Sequence, residues 1–177
     1  MALCFRASNT PSKGRVHAQA LVRHPWKGST PFTDQACSWV REQVSRGKPF
    51  FCYLALSAPH RPCLPPTFAK GLSAAGPRGD MVCVVDRAVS RIASLLDELQ
   101  VASNTLFIVT SDHGADLADY DGETYGHRSN GEWRGQKADI FEDGHRVPFL
   151  ARWPGRIPRG SVTRELISPK PSVEPIG

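Results

Sequence analysis

The sequence predicts an α/β protein in which a mostly parallel sheet is flanked by helices. Three observations lead there. Two short, almost wholly apolar runs, Phe50 to Ser57 (FFCYLALS) and Thr105 to Thr110 (TLFIVT), have the length and the aromatic or β-branched content of strands buried on both faces. Between them, Asp80 to Gln100 keeps its apolar residues at helical spacing. The length of 177 residues, with 40% hydrophobic and 22% charged, suits one globular core.

Taken in chain order, residues 1–32 mix Ser, Lys, Gly, Pro and Arg without a period of two or of 3.6, and read as an irregular N-terminal arm. Thr33 and Asp34 then offer an N-cap for a helix over Gln35 to Arg46, with Ala36, Val40 and Val44 on one stripe, Trp39 beside them and Gly47 as the stop. Lys48-Pro49 leads into the first apolar strand, and a Pro-laden loop follows it to Pro66. In the long helix Val84, Val85, Ala88, Ile92, Leu95, Leu96 and Leu99 share a face, while Asp86, Arg87, Arg91 and Glu98 mostly point away. Strand, helix and strand make a βαβ unit, whose strands run parallel through a right-handed crossover. A further short strand is expected within Val147 to Trp153, and Pro169, Pro171 and Pro175 mark 166–177 as a Pro-rich tail.

Composition excludes several classes. Gly and Pro, 15 of each, stay well below the roughly 25–30% of low-complexity chain. The longest stretch without a charge or His, Pro49 to Pro59, is about half the roughly 20 residues of a spanning helix, so no transmembrane segment is expected. Met1 to Arg15 lacks the apolar run of a signal peptide, and Asn9, Asn104 and Asn130 begin no glycosylation sequon, so nothing read here directs the chain to the secretory pathway. Five Cys with no C-x-x-C pair suggest free thiols rather than a disulfide framework or a zinc ribbon. A net charge of +5 with a pI near 9.1 suits an anionic substrate or a mildly basic solvated surface; no nucleic-acid partner is expected.

Chemistry is expected where the two strands end. In open α/β sheets ligands bind beyond the carboxyl ends of the strands, on loops that the sheet supports. The first strand delivers Ala58-Pro59-His60-Arg61-Pro62 and the second Ser111-Asp112-His113-Gly114. If the strands are parallel, His60, Asp112 and His113 rise from one edge, about one or two strand spacings of roughly 4.8 Å apart. Asp offers a hard anionic oxygen, and His an imidazole suited to a metal or a proton. From Gly126 onward, Gly126, Gly131, Gly135 and Gly144 permit close turns, and Arg134, Lys137, His145 and Arg146 are cations fit to hold an oxyanion.

These segments resemble a known family. KPFFCYLALSAPHRPCLPP, NTLFIVTSDHGA and SNGEWRGQKADIFEDGHRVPFLARWPGRIPRGS look like three blocks of the type I (arylsulfatase-like) sulfatases of the alkaline phosphatase superfamily, in the family's order and over roughly Thr33 to Glu165. The resemblance implies an alkaline phosphatase-like α/β fold, incomplete here, with 33–165 as the core fragment between the arm and the tail. It implies hydrolysis of sulfate esters with one divalent cation, usually Ca2+. Asp112 and His113, from the motif like TSDHG, are the implied metal ligands, Asp112 the better suited to a hard cation. His60, from the motif like APHxP, is implied to contact the sulfate and protonate the leaving oxygen. Lys137, from the motif like RGxK, is implied to neutralise sulfate oxygens.

The departures from the family are as informative. The formylglycine nucleophile arises from the first residue of C-x-P/A-S-R, and none of the five Cys opens that motif; Cys37-Ser-Trp-Val-Arg41 keeps only its ends. The family's Asp-Asp metal pair is absent, since no two Asp are adjacent. The reading is therefore a fragment of an arylsulfatase-like protein, a short product or an incomplete gene model, inactive alone and carrying half the metal site and half the sulfate site. Its substrate would be an aryl sulfate, a sulfolipid or a sulfated glycan. The alternatives are a phosphodiester or phosphonate hydrolase of the same superfamily and a non-catalytic chain that binds sulfated glycans. The family is usually lysosomal, secreted or periplasmic.

Overall fold

The computed structural model describes residues 2–6, 29–116 and 124–165. The first helix, α1 (Ser29–Ser45), begins six residues before the expected Gln35. Pro31 explains the early start, because in a first turn its missing N–H has no partner to lose. Phe32, Ala36 and Val40 are buried on its inner face. The second helix, α2 (Gly76–Glu98), likewise begins earlier than expected, with a Pro in its first two positions, and buries Val84, Ala88, Ile92, Leu95 and Leu96 as the spacing predicts. Arg41 to Glu98 at 2.8 Å and Arg91 to Asp34 at 2.7 Å join the exposed sides of the two helices.

The described strands are β1 (Ala2–Arg6), β2 (Phe51–Leu54), β3 (Thr105–Thr110) and β4 (Phe149–Arg152), in the order β2-β1-β3-β4. β1 pairs antiparallel with both β2 and β3, so these two run the same way, as the crossover predicts, with a strand between them. Leu54 and Val109 both face Ala2, which sets the register. β4 is antiparallel to β3, so every hydrogen-bonded pair among the described strands is antiparallel. A strand at Ala2–Arg6 corrects the expectation of irregular chain there: the segment lacks a period, and pairing on both sides supplies what propensity does not.

Both helices cover one face of the sheet. Phe32, Ala36, Val40, Ile92, Leu95 and Leu96 form one cluster with Phe50, Cys52, Leu54 and Phe107. β2 therefore alternates: Cys52 and Leu54 are buried and Tyr53 is 50% exposed, which corrects the expectation of a strand buried on both faces. Burial pushes the Cys52 thiol up to about 11. Among the described side chains Cys37, Cys52, Cys63 and Cys83 form no disulfide. β4 is fastened to the helix layer by Arg152 on Asp97 at 2.7 Å and by the Trp153 indole N–H donating to the Ser103 carbonyl at 3.0 Å.

A second, smaller cluster of Ala58, Ala69, Met81 and Val84 seats the loop after β2 on the start of α2. Next to it, buried Asp80 accepts backbone N–H bonds from Gly71 and Ser73, 2.9 Å each. Those bonds hold its carboxyl below the usual range. Among the described residues no helix is long and apolar enough to cross a membrane.

Candidate active site

Because β2 and β3 share a direction, the loops that follow them leave the same edge of the sheet. The first carries His60 between two cis peptide bonds, Ala58-Pro59 and Arg61-Pro62. Its backbone is seated by buried Ala58, while His60 itself is exposed. The His60 Nδ1 lies 2.7 Å from the Arg61 carbonyl. A carbonyl only accepts, so Nδ1 carries a ring proton, and Nε2 is free to face outward.

Nε2 faces Lys137, whose Nζ is 3.5 Å away. The structure thus brings together His60 and Lys137, 77 residues apart in sequence. Lys137 is fixed by its backbone, whose N–H donates to the Ala115 carbonyl at 2.7 Å in the loop after β3. Ala138 beside it is left-handed, with φ 74°, a conformation that a non-glycine residue adopts only where its surroundings impose it.

Two glycines permit the close approach of these loops. A Cβ on Gly114 would lie 1.6 Å from the Asp143 carbonyl oxygen, and the Gly114 N–H donates to the Gly144 carbonyl at 3.0 Å. A Cβ on Gly135, where φ is 101°, would lie 2.7 Å from the Cβ of Phe141. The segment Glu142–His145 forms a short helix, α3, which buries Asp143 and Gly144 against this junction.

The other expected cations have different surroundings. The Arg134 guanidinium stacks on Phe141 at 3.7 Å from the ring centre. Arg146 stacks on Trp133 at 4.2 Å and pairs with Glu142 at 3.1 Å. Lys137 is the cation that meets His60.

Asp112 and His113 follow β3 directly. The Asp112 side chain is 75% exposed, and its Oδ2 is 3.7 Å from His113 Nε2. His113 Nδ1 is 2.8 Å from the Gly114 carbonyl, so Nδ1 holds the proton and Nε2 offers its lone pair on the Asp112 side. The two donors therefore converge. They do not by themselves fit a hard cation, which takes roughly six to eight oxygen ligands. Among the described residues no group of three or more His, Cys, Asp and Glu side chains could hold a metal ion.

One contact at the site has no counterpart in the sequence reading. Arg61 Nη2 lies 2.9 and 3.1 Å from the two carboxylate oxygens of Asp116. Each residue is adjacent to a motif, Arg61 to His60 and Asp116 to the SDHGA run, and adjacency is the signal available in the sequence.

The Sulfatase family model matches residues 18–172. The chain is 37% identical over 135 residues to N-acetylgalactosamine-6-sulfatase of Canis lupus familiaris, covering 76% of this chain and 25% of that one. It is 39% identical over 131 residues to N-acetylgalactosamine-6-O-sulfatase of Bacteroides thetaiotaomicron, covering 71% and 25%. With steryl-sulfatase of Rattus norvegicus the identity is 43% over 144 residues, covering 79% and 24%. Among solved structures, Ps i-CgsB in complex with k-i-k-neocarrahexaose superposes with a TM-score of 0.64 at 28% identity, covering 75% of this chain and 29% of that one. The PsFucS1 sulfatase from Pseudoalteromonas sp. also gives 0.64, at 32% identity, covering 73% and 25%. The chain spans about a quarter of the length of the curated relatives it matches. By its sequence and its α/β fold, this chain belongs to the sulfatase family.

Proposed function

We propose that the three loops form the sulfate-binding part of a sulfuric ester hydrolase. The observation that carries this reading is the approach of Lys137 Nζ to His60 Nε2, 3.5 Å, from two separate motifs onto one sheet edge. An ammonium and an imidazole set side by side on rigidly seated backbone suit a tetrahedral anion. Lys137 neutralises a sulfate oxygen. His60, with Nδ1 donating to the Arg61 carbonyl, presents Nε2 to the ester. Once a nucleophile from outside these residues bonds to sulfur and the S–O bond breaks, the electron pair stays on the leaving oxygen, and a proton from Nε2 of the doubly protonated ring completes the alcohol.

Attack on sulfur is not assigned to any of these residues, because no Cys in the 177-residue sequence opens C-x-P/A-S-R. A divalent cation, Ca2+ by family, would engage this segment through the Asp112 carboxylate and His113 Nε2. Of the possible esters we favour a sulfated sugar. The N-acetylgalactosamine-6-sulfatases among the relatives and the neocarrahexaose complex among the structures support that class.

The test is to titrate the purified chain with inorganic sulfate and inorganic phosphate, and to assay aryl sulfate and aryl phosphate turnover. Sulfate binding that weakens in Lys137→Ala, without turnover of either ester, is the expected result. Absence of sulfate binding, or binding indifferent to Lys137, would overturn the reading; so would turnover of aryl phosphate in preference to aryl sulfate.

A further inference from the structure

The three loops are joined by a closed ring of contacts: Lys137 Nζ to His60 Nε2, the Lys137 N–H to the Ala115 carbonyl, and Arg61 to Asp116. Each contact joins a different pair of loops. Residues 60 and 61 are adjacent, as are 115 and 116, so the Arg61–Asp116 pair closes a circuit that begins and ends at His60.

From this geometry we infer that Asp116 is a positioning residue, which through Arg61 holds the His60 loop at its working distance from Lys137. The inference rests on the proposed sulfate site. The Asp116 side chain is 22% exposed and that of Arg61 54%. A pair so placed contributes little to stability, so its effect is expected in geometry. His60 needs such an anchor, because its side chain is exposed and its ring is held by the neighbouring Arg61 carbonyl and by the long side chain of Lys137, neither of which fixes the loop itself. Without the ion pair, the loop keeps the Ala58 seat but loses the Arg61–Asp116 tie to the loop after β3.

The sign of the effect separates positioning from simple electrostatics. Asp116 is an anion near an anion site, so by Coulomb's law its removal should strengthen sulfate binding. Positioning requires the opposite: Asp116→Asn should weaken binding although a repulsive charge has gone.

The experiment uses the full 177-residue chain, with sulfate as the probe and the imidazole resonances of His60 as the reporter. In Asp116→Asn the sulfate Kd should rise about fivefold or more, and the His60 ring signals of the sulfate-free protein should move. Asp116→Glu, which keeps the carboxylate, should restore most of both. In an Arg61→Gln background Asp116→Asn should have no further effect on either, because paired residues are not additive. An unchanged or tighter Kd with unmoved ring signals in Asp116→Asn overturns the inference, as does full additivity with Arg61→Gln. Should Asp116→Asn fail to fold, the ring signals of Arg61→Gln decide, and unmoved signals count against the proposal. If the parent chain binds no sulfate, the proposed function fails while the ring signals still decide the role of Asp116.

Discussion

Lys137 Nζ and His60 Nε2 stand 3.5 Å apart although 77 residues separate them in sequence. The two contribute differently to holding an anion. The ammonium brings a full charge, and hydrogen bonds to charged groups are worth roughly 1.5–3 kcal/mol against 0.5–1.5 for neutral ones. Lys137→Ala should therefore weaken sulfate binding by about tenfold or more, and His60→Ala by only a few fold at pH values where the ring is neutral. Calorimetric titration of both variants checks the order. A larger loss at His60 would mean that the ring, and not the ammonium, carries the anion.

Calcium should bind this chain weakly. One carboxylate and one imidazole are far from a full cation shell, so the Kd should be weaker than about 1 mM, the upper end of the range for calcium modules. Asp112→Asn should abolish what binding there is. Micromolar affinity in a calcium titration would show that further ligands converge on Asp112.

Gly114→Ala should damage the site and the fold together. The added methyl meets a backbone carbonyl 1.6 Å away, and backbone cannot swing aside as a flexible side chain does. The loop after β3 would have to part from α3, carrying the Ala115 carbonyl away from Lys137. A lower melting temperature together with lost sulfate binding is the expected outcome, and a variant with parental values for both would contradict the packing.

Asp80 should make stability depend on acid pH. Its folded carboxyl is held below the usual range by the Gly71 and Ser73 N–H groups, whereas the unfolded chain returns it to about 3.9. A lowered folded value means that the stabilisation is complete above the unfolded value and is lost as pH falls through the folded one. The stability difference between the parent and Asp80→Asn should thus be largest near neutral pH and shrink below about pH 4. Urea unfolding across that range measures it, and a constant difference would deny the charge any part.

Much of this arrangement was legible in the sequence because it is local. FFCYL and TLFIVT announce themselves as strands by composition, and Val84 to Leu96 as a helix by period. The edge at which His60 and Asp112 emerge followed from the crossover rule. What escaped depends on pairing at a distance. ALCFR has no period of its own and becomes a strand through neighbours at Phe51 and Leu106. Arg61 and Asp116 are ordinary loop residues until the fold sets them 2.9 Å apart. Tyr53 sits in an apolar run that reads as buried throughout, and only the placement of both helices on one face shows it to be exposed.

The position of β1 bears on how the chain reaches its native state. β1 is synthesised before both strands that flank it, yet its second partner, β3, leaves the ribosome only after α1, β2 and α2 have been made. Each later strand adds to an edge already made, β2 and then β3 to the two sides of β1, and β4 to β3. Among the described strands β1 has only β2 as a neighbour until Thr105–Thr110 arrives, and its other backbone edge stays unpaired in the sheet until then. Joining segments so far apart carries a large loop-closure cost, so assembly of the centre of the sheet should be the slow event in folding, and helix α2 should form well ahead of it.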